Sequence, residues 1–317
     1  MKKSDRQTGI IVTVDTETYP INGALPPFDL NIYGRLGGSE YGVNRIMDIC
    51  EKYDMRGTFF VDVYMHHHYG EEPVRSLCRT IGRRGHDVQL HAHANWIPNH
   101  PHEFVSRYPL SEQIEIIAEG KRLIGDWTGT APAAFRAGAY GLNLDTIKAL
   151  EVNGFKADAS YFPHHRNCEL SGQLNNKHGN KIFTIGSVHE LPVTTYWLLD
   201  TPFYRKNSKL DFNACTIGEL KDVLPKFIKS NIKFVVLFLH SFSFLKWGKG
   251  YSHVDPDLRA LRSFEETLEF LKEFDSVNFL TVKEAIPLFD SLGKNEEDFI
   301  PRVDLVNVFP RIVKRLQ

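Results

Sequence analysis

Segments with two different apolar rhythms alternate along the chain, and this alternation constrains its fold more than any other feature. Residues 9–15 form a short β-branched run, 57–63 (GTFFVDV) and 86–91 repeat it, and 233–240 (KFVVLFLH) is the most apolar of the set. Further strands are predicted at 133–136, 155–160, 189–193 and 277–281. Between them, apolar residues recur at helical spacing. Val43, Ile46, Met47, Cys50 and Tyr53 share a face behind Ser39; Val74, Leu77 and Ile81 share another, closed by Gly85. Ile114, Ile117 and Ala118 follow Ser111, and Ile147 and Leu150 follow the cap Asn143. Thr216 and Glu219 make a capping box ahead of Leu220, Val223 and Leu224, with Pro225 expected to kink or split that helix. Asp257 caps a helix bearing Leu261, Phe264, Leu268 and Leu271. Strand–helix alternation predicts a parallel sheet covered by helices, and the continuous apolar run at 233–240 suits burial on both faces. Seven or eight such units fit an α/β fold of the irregular (β/α) barrel type, with a doubly wound open sheet as the alternative.

Composition narrows the function classes. A chain of 317 residues, 42% hydrophobic and 24% charged, buries a sizeable core without disulfides. Cys50, Cys78, Cys168 and Cys215 lie far apart with no CxxC pair, so they read as free thiols. The formal net charge of −1 provides no global field toward nucleic acid, and no nucleic-acid partner is expected. No run reaches the ~18 apolar residues of a membrane span, so no transmembrane segment is expected. The start, MKKSDRQTG, passes into Ile10-Ile11-Val12 without a signal-type apolar region, and a cytoplasmic location is the expectation.

Polar residues collect at the C-terminal ends of the predicted strands: Asp15 and Glu17, His91 and His93, Arg136, Asp158, His240. In a barrel that is the face on which active sites are built. Residues two apart on a strand share a face, so Asp15 and Glu17 can share the mouth; a cation would relieve their repulsion. His91 and His93 form an H-x-H pair at a strand end, and with a carboxylate they can supply three ligands and leave a position open. Arg136 can hold a carboxylate by a two-pronged hydrogen bond, and the small residues after it allow close backbone approach to a ligand. His240 needs a polar partner in space, and Asp158 is the one expected; together they would make a general acid. Taken singly, each has an ordinary structural reading: solvated acids at a turn, satisfied rim histidines, a strand-tying salt bridge, a core histidine on backbone. Their coincidence at five strand ends argues for a site. His86 opens its strand and reads as structural at the opposite end, His66-His67-His68 as a solvated loop near the mouth, and residues 304–317 as a tail packed on the barrel.

In order and spacing these segments resemble the polysaccharide deacetylase family, the NodB homology domain of carbohydrate esterase family 4. TVDTE resembles its first motif, GHDVQLHAH the second, FRAGAYG the third, FKADAS the fourth and LFLH the fifth. The resemblance implies a single domain over residues 1–317, with a core of about 9–285 and a C-terminal extension at 286–317. It also implies a divalent metal, zinc being the expected one, held by Glu17, His91 and His93. Asp15, positioned by Arg136, would be the base, and His240, oriented by Asp158, the acid. Trp96, Ala139 and Tyr140 would meet the substrate, with a backbone N–H of Ala139 or Tyr140 as oxyanion donor. The family's second motif is H-x-x-x-H, which puts Asn95 where a histidine belongs; His93 would substitute for it. The first motif is D-x-E where adjacent aspartates are commoner, and the third carries an extra residue. The implied activity is hydrolysis of an N-acetyl or N-formyl group from an amino sugar or glycan precursor, in bacterial surface-polysaccharide synthesis. A non-sugar amidase on the same fold and a catalytically inactive carbohydrate-binding barrel are the alternatives.

Overall fold

The computed structural model describes residues 7–18, 26–248, 253–292, 298–308 and 311. Its central sheet contains β1 (Thr8–Thr16), β2 (Thr58–Asp62), β3 (Asp87–Ala92), β4 (Ala134–Ala137), β5 (Ala157–Asp158), β6 (Phe183–Ile185), β7 (Val188–Glu190), β8 (Phe234–His240) and β9 (Val277–Phe279). The order is β8-β1-β2-β3-β4-β5-β7-β6, with β9 also paired to the start of β1. Every pairing is parallel except β6 with β7. The result is a curled, mostly parallel sheet of half-barrel form with helices around it, of the class the alternation predicts. Its open seam is stitched by single bonds: Val236 N donates to Thr194 Oγ1 at 2.8 Å, and Phe238 N to the Leu210 carbonyl at 2.8 Å.

Six longer helices follow the strands: α1 (Val43–Lys52), α2 (Glu71–Arg83), α3 (Leu110–Thr128), α4 (Leu144–Val152), α5 (Ile217–Lys229) and α6 (Leu258–Leu271). Their buried faces pack with outward strand residues such as Val12, Phe59, Leu90, Phe135 and Leu237 in one core. The inward residues Ile11, Phe60, Ala134, Ala157 and Val236 form a second, smaller cluster. The period of two then carries polar residues inward at the strand ends: Thr13 and Asp15 after Ile11, Asp62 after Phe60, Arg136 after Ala134, His240 after Val236 and Phe238.

Several local expectations are corrected. Ser39 lies in a two-residue ladder with residues 35–36, and α1 starts later, behind Gly42. On α3 the buried face is Ile116, Ile117, Gly120, Leu123, Ile124 and Trp127, while Ala118 is exposed. Pro225 does not split α5, which runs unbroken to Lys229 with Leu220, Val223, Leu224, Phe227 and Ile228 buried along one side. Packing of that face outweighs the missing N–H bond. His66–Tyr69 is a helical turn rather than a loop. The strand expected over 155–160 shrinks to two residues, and an antiparallel hairpin, Thr195–Asp200 with Arg205–Lys209, was not anticipated. Of the C-terminal tail, residues 309–310 and 312–317 lie outside the described residues; within it Val308 is buried against the core, as is Val303 just before it.

Candidate functional site

Sheet register aligns the polar strand ends. Asp15 is level with His240 across β1 and β8, Asp62 with His91 across β2 and β3, and His91 with Arg136 across β3 and β4. Above them opens a cavity of about 540 Å3, lined by Asp15, Glu17, Thr18, His91, His93, Asn95, Trp96, Glu103, Ala139, Tyr140, His240 and Phe242.

Glu17 stands just past β1 and faces three imidazoles. His91 Nε2 lies 3.0 Å from Glu17 Oε2, His93 Nε2 2.5 Å from the same oxygen, and His240 Nε2 3.8 Å from Oε1. Each metal-candidate histidine is fixed from behind. His91 Nδ1 lies 2.8 Å from the carbonyl of Arg136, and His93 Nδ1 lies 3.1 Å from Glu103 Oε1. Nδ1–H donation to those oxygens leaves both Nε2 lone pairs aimed at the cavity, and such backing bonds orient metal-binding histidines. Glu103 came from no sequence signal: it is a half-exposed loop residue ten positions after His93.

The donor set fits a cation. Donor atoms of Glu17, His91 and His93 all lie within 4.8 Å of one another. His93 Nε2 is buried and makes no hydrogen bond of acceptable geometry despite its closeness to Glu17. Burial works against charge on both histidines, yet nearby carboxylates outweigh it. Asp15 and Glu17 raise the His91 pKa, while Glu17 and Glu103 raise that of His93 well above the ordinary value. Burial also opposes charge on Glu17, but His93 and His91 hold its carboxyl well below the usual range. Negative charge is thus concentrated where two imidazole lone pairs converge, which suits a divalent ion. His93 joins the group, and Asn95 lines the cavity wall.

Asp62 is a further buried carboxylate that the sequence reading left inside its strand. Oδ1 accepts from Tyr64 N at 3.2 Å, and Oδ2 is buried without a partner. Burial pushes its carboxyl up to about 7, against the pull of His93 and His91.

Arg136 is fully buried under the cavity floor, its guanidinium between Phe60 (4.2 Å to the ring centroid) and Phe238 (4.9 Å). Nε donates to the Ala159 carbonyl at 2.9 Å, and Nη1 to Thr13 Oγ1 at 3.0 Å and Asp15 Oδ1 at 2.7 Å. The expected contact with Asp15 is present, but through one nitrogen instead of two. After Arg136 the chain enters a tight turn in which Ala139 (φ 47°) and Tyr140 (φ 65°) both take left-handed backbone, a conformation costing roughly 1–2 kcal/mol per non-glycine residue. Gly138 is required there, since a Cβ would sit 2.6 Å from the His93 ring.

Asp158 is a correction. Its oxygens accept from Ser160 Oγ at 2.7 Å and Ser160 N at 3.0 Å, and it lies level with Glu190 across β5 and β7. Burial drives both carboxyls up, Glu190 well above its ordinary value. Among the described residues Asp158 makes no bond to His240. The charged groups around His240 are Lys209, which ends the hairpin, Asp211 just past it, and Glu17 and Asp15. Lys209 Nζ lies 2.6 Å from Tyr140 Oη, 3.1 Å from Asp211 Oδ2 and 3.3 Å from the Phe238 ring centroid. His240 itself stacks on Phe242 at 5.0 Å. Burial, followed by the Lys209 charge, lowers the His240 pKa, with Glu17 and Asp211 opposing. His86 is structural as expected: Nδ1 accepts from Gly57 N at 2.9 Å and Nε2 meets Glu51 at 3.1 Å.

Comparison with known proteins agrees with this architecture. Residues 37–157 match the family described as Polysaccharide deacetylase, a stretch that contains Asp62, His91, His93, Arg136 and Tyr140. No curated protein matches the chain. Among solved structures, a candidate polysaccharide deacetylase from Mycobacterium smegmatis is similar, with a TM-score of 0.64 at 17% identity over 96% of this chain and 97% of that one. A candidate polysaccharide deacetylase from Pseudomonas aeruginosa gives a TM-score of 0.58 at 15% identity, covering 92% of this chain and 93% of that one. Puue allantoinase gives 0.60 at 13% identity, covering 92% of each. These likenesses establish a shared fold. Residues 37–157 thus carry the match to the polysaccharide deacetylase family, and the chain shares the distorted, half-open barrel of these structures.

Proposed function

We propose that this protein is a metal-dependent hydrolase that removes an N-acetyl or N-formyl group from an amino sugar or glycan precursor. The observation that carries the reading is the Glu17–His91–His93 group, whose donor atoms converge within 4.8 Å at the floor of an open cavity. Bound there, a divalent cation such as zinc would acidify water and polarise a carbonyl oxygen.

The chain's own groups supply the proton traffic. Arg136 binds Asp15 at Oδ1, leaving Oδ2 to take a proton from the attacking water. Backbone N–H groups of the Ala139–Tyr140 turn, in left-handed geometry at the cavity wall, would donate to the oxyanion; one such donor is typically worth ~3 kcal/mol. His240 gives its proton to the departing amine. The low pKa imposed by burial and Lys209 makes its imidazolium the stronger acid. Trp96 and Tyr140 offer ring faces for a sugar. Water adds to the acyl carbon, the C–N bond breaks, and the products are a free amine and acetate or formate.

Release of acetate from N-acetylated amino sugars by the purified protein tests this reading. Asp15→Ala should cost about 10²–10⁴ in rate, scored per folded molecule because buried Arg136 loses its acceptor. Full activity in that variant would remove the base assignment, and inertness of the cation-loaded wild type toward N-acyl sugars would favour a non-sugar amide substrate.

A further inference from the structure

The hairpin Thr195–Asp200/Arg205–Lys209 projects from the wall of the cavity. Its base is part of the site: Lys209 reaches Tyr140, Asn207 Nδ2 donates to the Pro163 carbonyl at 2.7 Å, and the Trp197 ring lies 5.8 Å from His164. Its tip, residues 201–204, is closed by Thr201: N donates to the Tyr204 carbonyl at 3.0 Å, and Oγ1 accepts from Tyr204 N at 3.0 Å. This ordered turn holds Phe203 98% exposed and Tyr204 57% exposed. Phe203 is the most exposed large apolar side chain among the described residues. An aromatic ring held in water by a fixed turn marks a contact surface.

Arg205 and Arg302, each about two-thirds exposed, share the carboxylate of Asp200 at 2.8 and 2.6 Å, and Lys206 follows in sequence. Two exposed guanidiniums therefore meet one acid. A four-residue tip cannot cover the ~800 Å2 per partner of a stable protein interface. An aromatic wedge with basic flanks does match the water–lipid boundary of an anionic bilayer. We propose that the hairpin tip docks this protein on an anionic membrane surface. Phe203 and Tyr204 enter the headgroup region, and the cavity is held some 13–17 Å away at ~3.3 Å per strand residue. Resting on the hydrolase reading, this makes the substrate an amino sugar on a lipid carrier instead of a free sugar nucleotide.

The test is co-sedimentation of the full chain with vesicles of phosphatidylcholine alone or mixed with phosphatidylglycerol, with no substrate present, so that it stands or falls apart from the hydrolase reading. We expect binding to the anionic vesicles only, weakened by salt. Phe203→Ser with Tyr204→Ser should weaken it at least about tenfold, and Arg205→Glu with Lys206→Glu should abolish it. The aromatic changes, at exposed positions of the tip, should leave the melting temperature and hydrolysis of soluble N-acyl sugars unchanged. Absence of binding to anionic vesicles, binding indifferent to the aromatic pair, or self-association of the wild type that the aromatic pair removes would each overturn the proposal.

Discussion

The two ends of strand β3 carry the same residue types and treat them in opposite ways. At its start, His86, Asp87 and Gln89 line a cavity of about 560 Å3, as large as the one at the mouth. Yet their polar atoms there are matched by protein. Both His86 nitrogens have partners, Asp87 accepts from Thr58 Oγ1, Gln89 Nε2 and Lys283 N, and Gln89 Oε1 accepts from the backbone of Ala133 and Ala134. At its end, His93 Nε2, Asp62 Oδ2 and Arg136 Nη2 are buried with no hydrogen-bond partner. The first end ties strands together. The second holds polar groups poised for something the protein does not itself contain. Cavity size does not separate them; unmet hydrogen-bonding capacity does.

Substitutions at the two ends should therefore fail differently. His91→Ala should abolish bound metal and cut N-acyl hydrolysis by about 10³ or more, in the range expected when a catalytic group is lost, with little change in melting temperature. Measuring both on one preparation exposes any general unfolding. Glu103→Ala should lower metal affinity about 10- to 100-fold by releasing the His93 ring; equal affinity in a competitive chelator titration would reduce Glu103 to a bystander. At the other end, Asp87→Ala should leave activity per folded molecule intact and cost about 1–3 kcal/mol of stability, because its buried donors lose their acceptor. Denaturant unfolding reads that loss.

The Asp158–Glu190 pair is buried side by side, and this predicts a pH dependence. Burial raises the folded pKa of Glu190 well above its unfolded value. Its stabilising contribution is then complete below the unfolded pKa and lost as pH rises through the folded one. Glu190→Gln, which mimics the protonated acid, should show a shallower loss of stability from weakly acidic to alkaline pH. A wild-type curve parallel to that of the variant would rule out the raised Glu190 pKa.

How much of this was legible in the sequence follows from the same contrast. Asp15, Glu17, His91, His93, Arg136 and His240 could be found because each interrupts or ends an apolar strand, and strand ends share one face. Asp62 obeys the same rule at the end of GTFFVDV and could have been found by it. Lys209, Asp211 and Glu103 could not, since they lie in polar loop or hairpin segments such as RKNSK, where a charged residue carries no pattern against which to stand out. Pairing Asp158 with His240 failed because strand ends fix the face but not the neighbour. The register sets Asp158 beside Glu190 and Asp15 beside His240. Pro225 misled for a related reason: propensity is local, and the buried face of α5 is a tertiary fact.

Cation titration of chelator-stripped protein, followed by calorimetry, tests the central claim most directly. Wild type should take up about one zinc ion per chain, His93→Ala should lose that binding, and His86→Ala, at the satisfied end of the same strand, should keep it. A wild type that takes up no cation, or a His93→Ala variant that binds as tightly as wild type, would contradict the metal site on which this account rests.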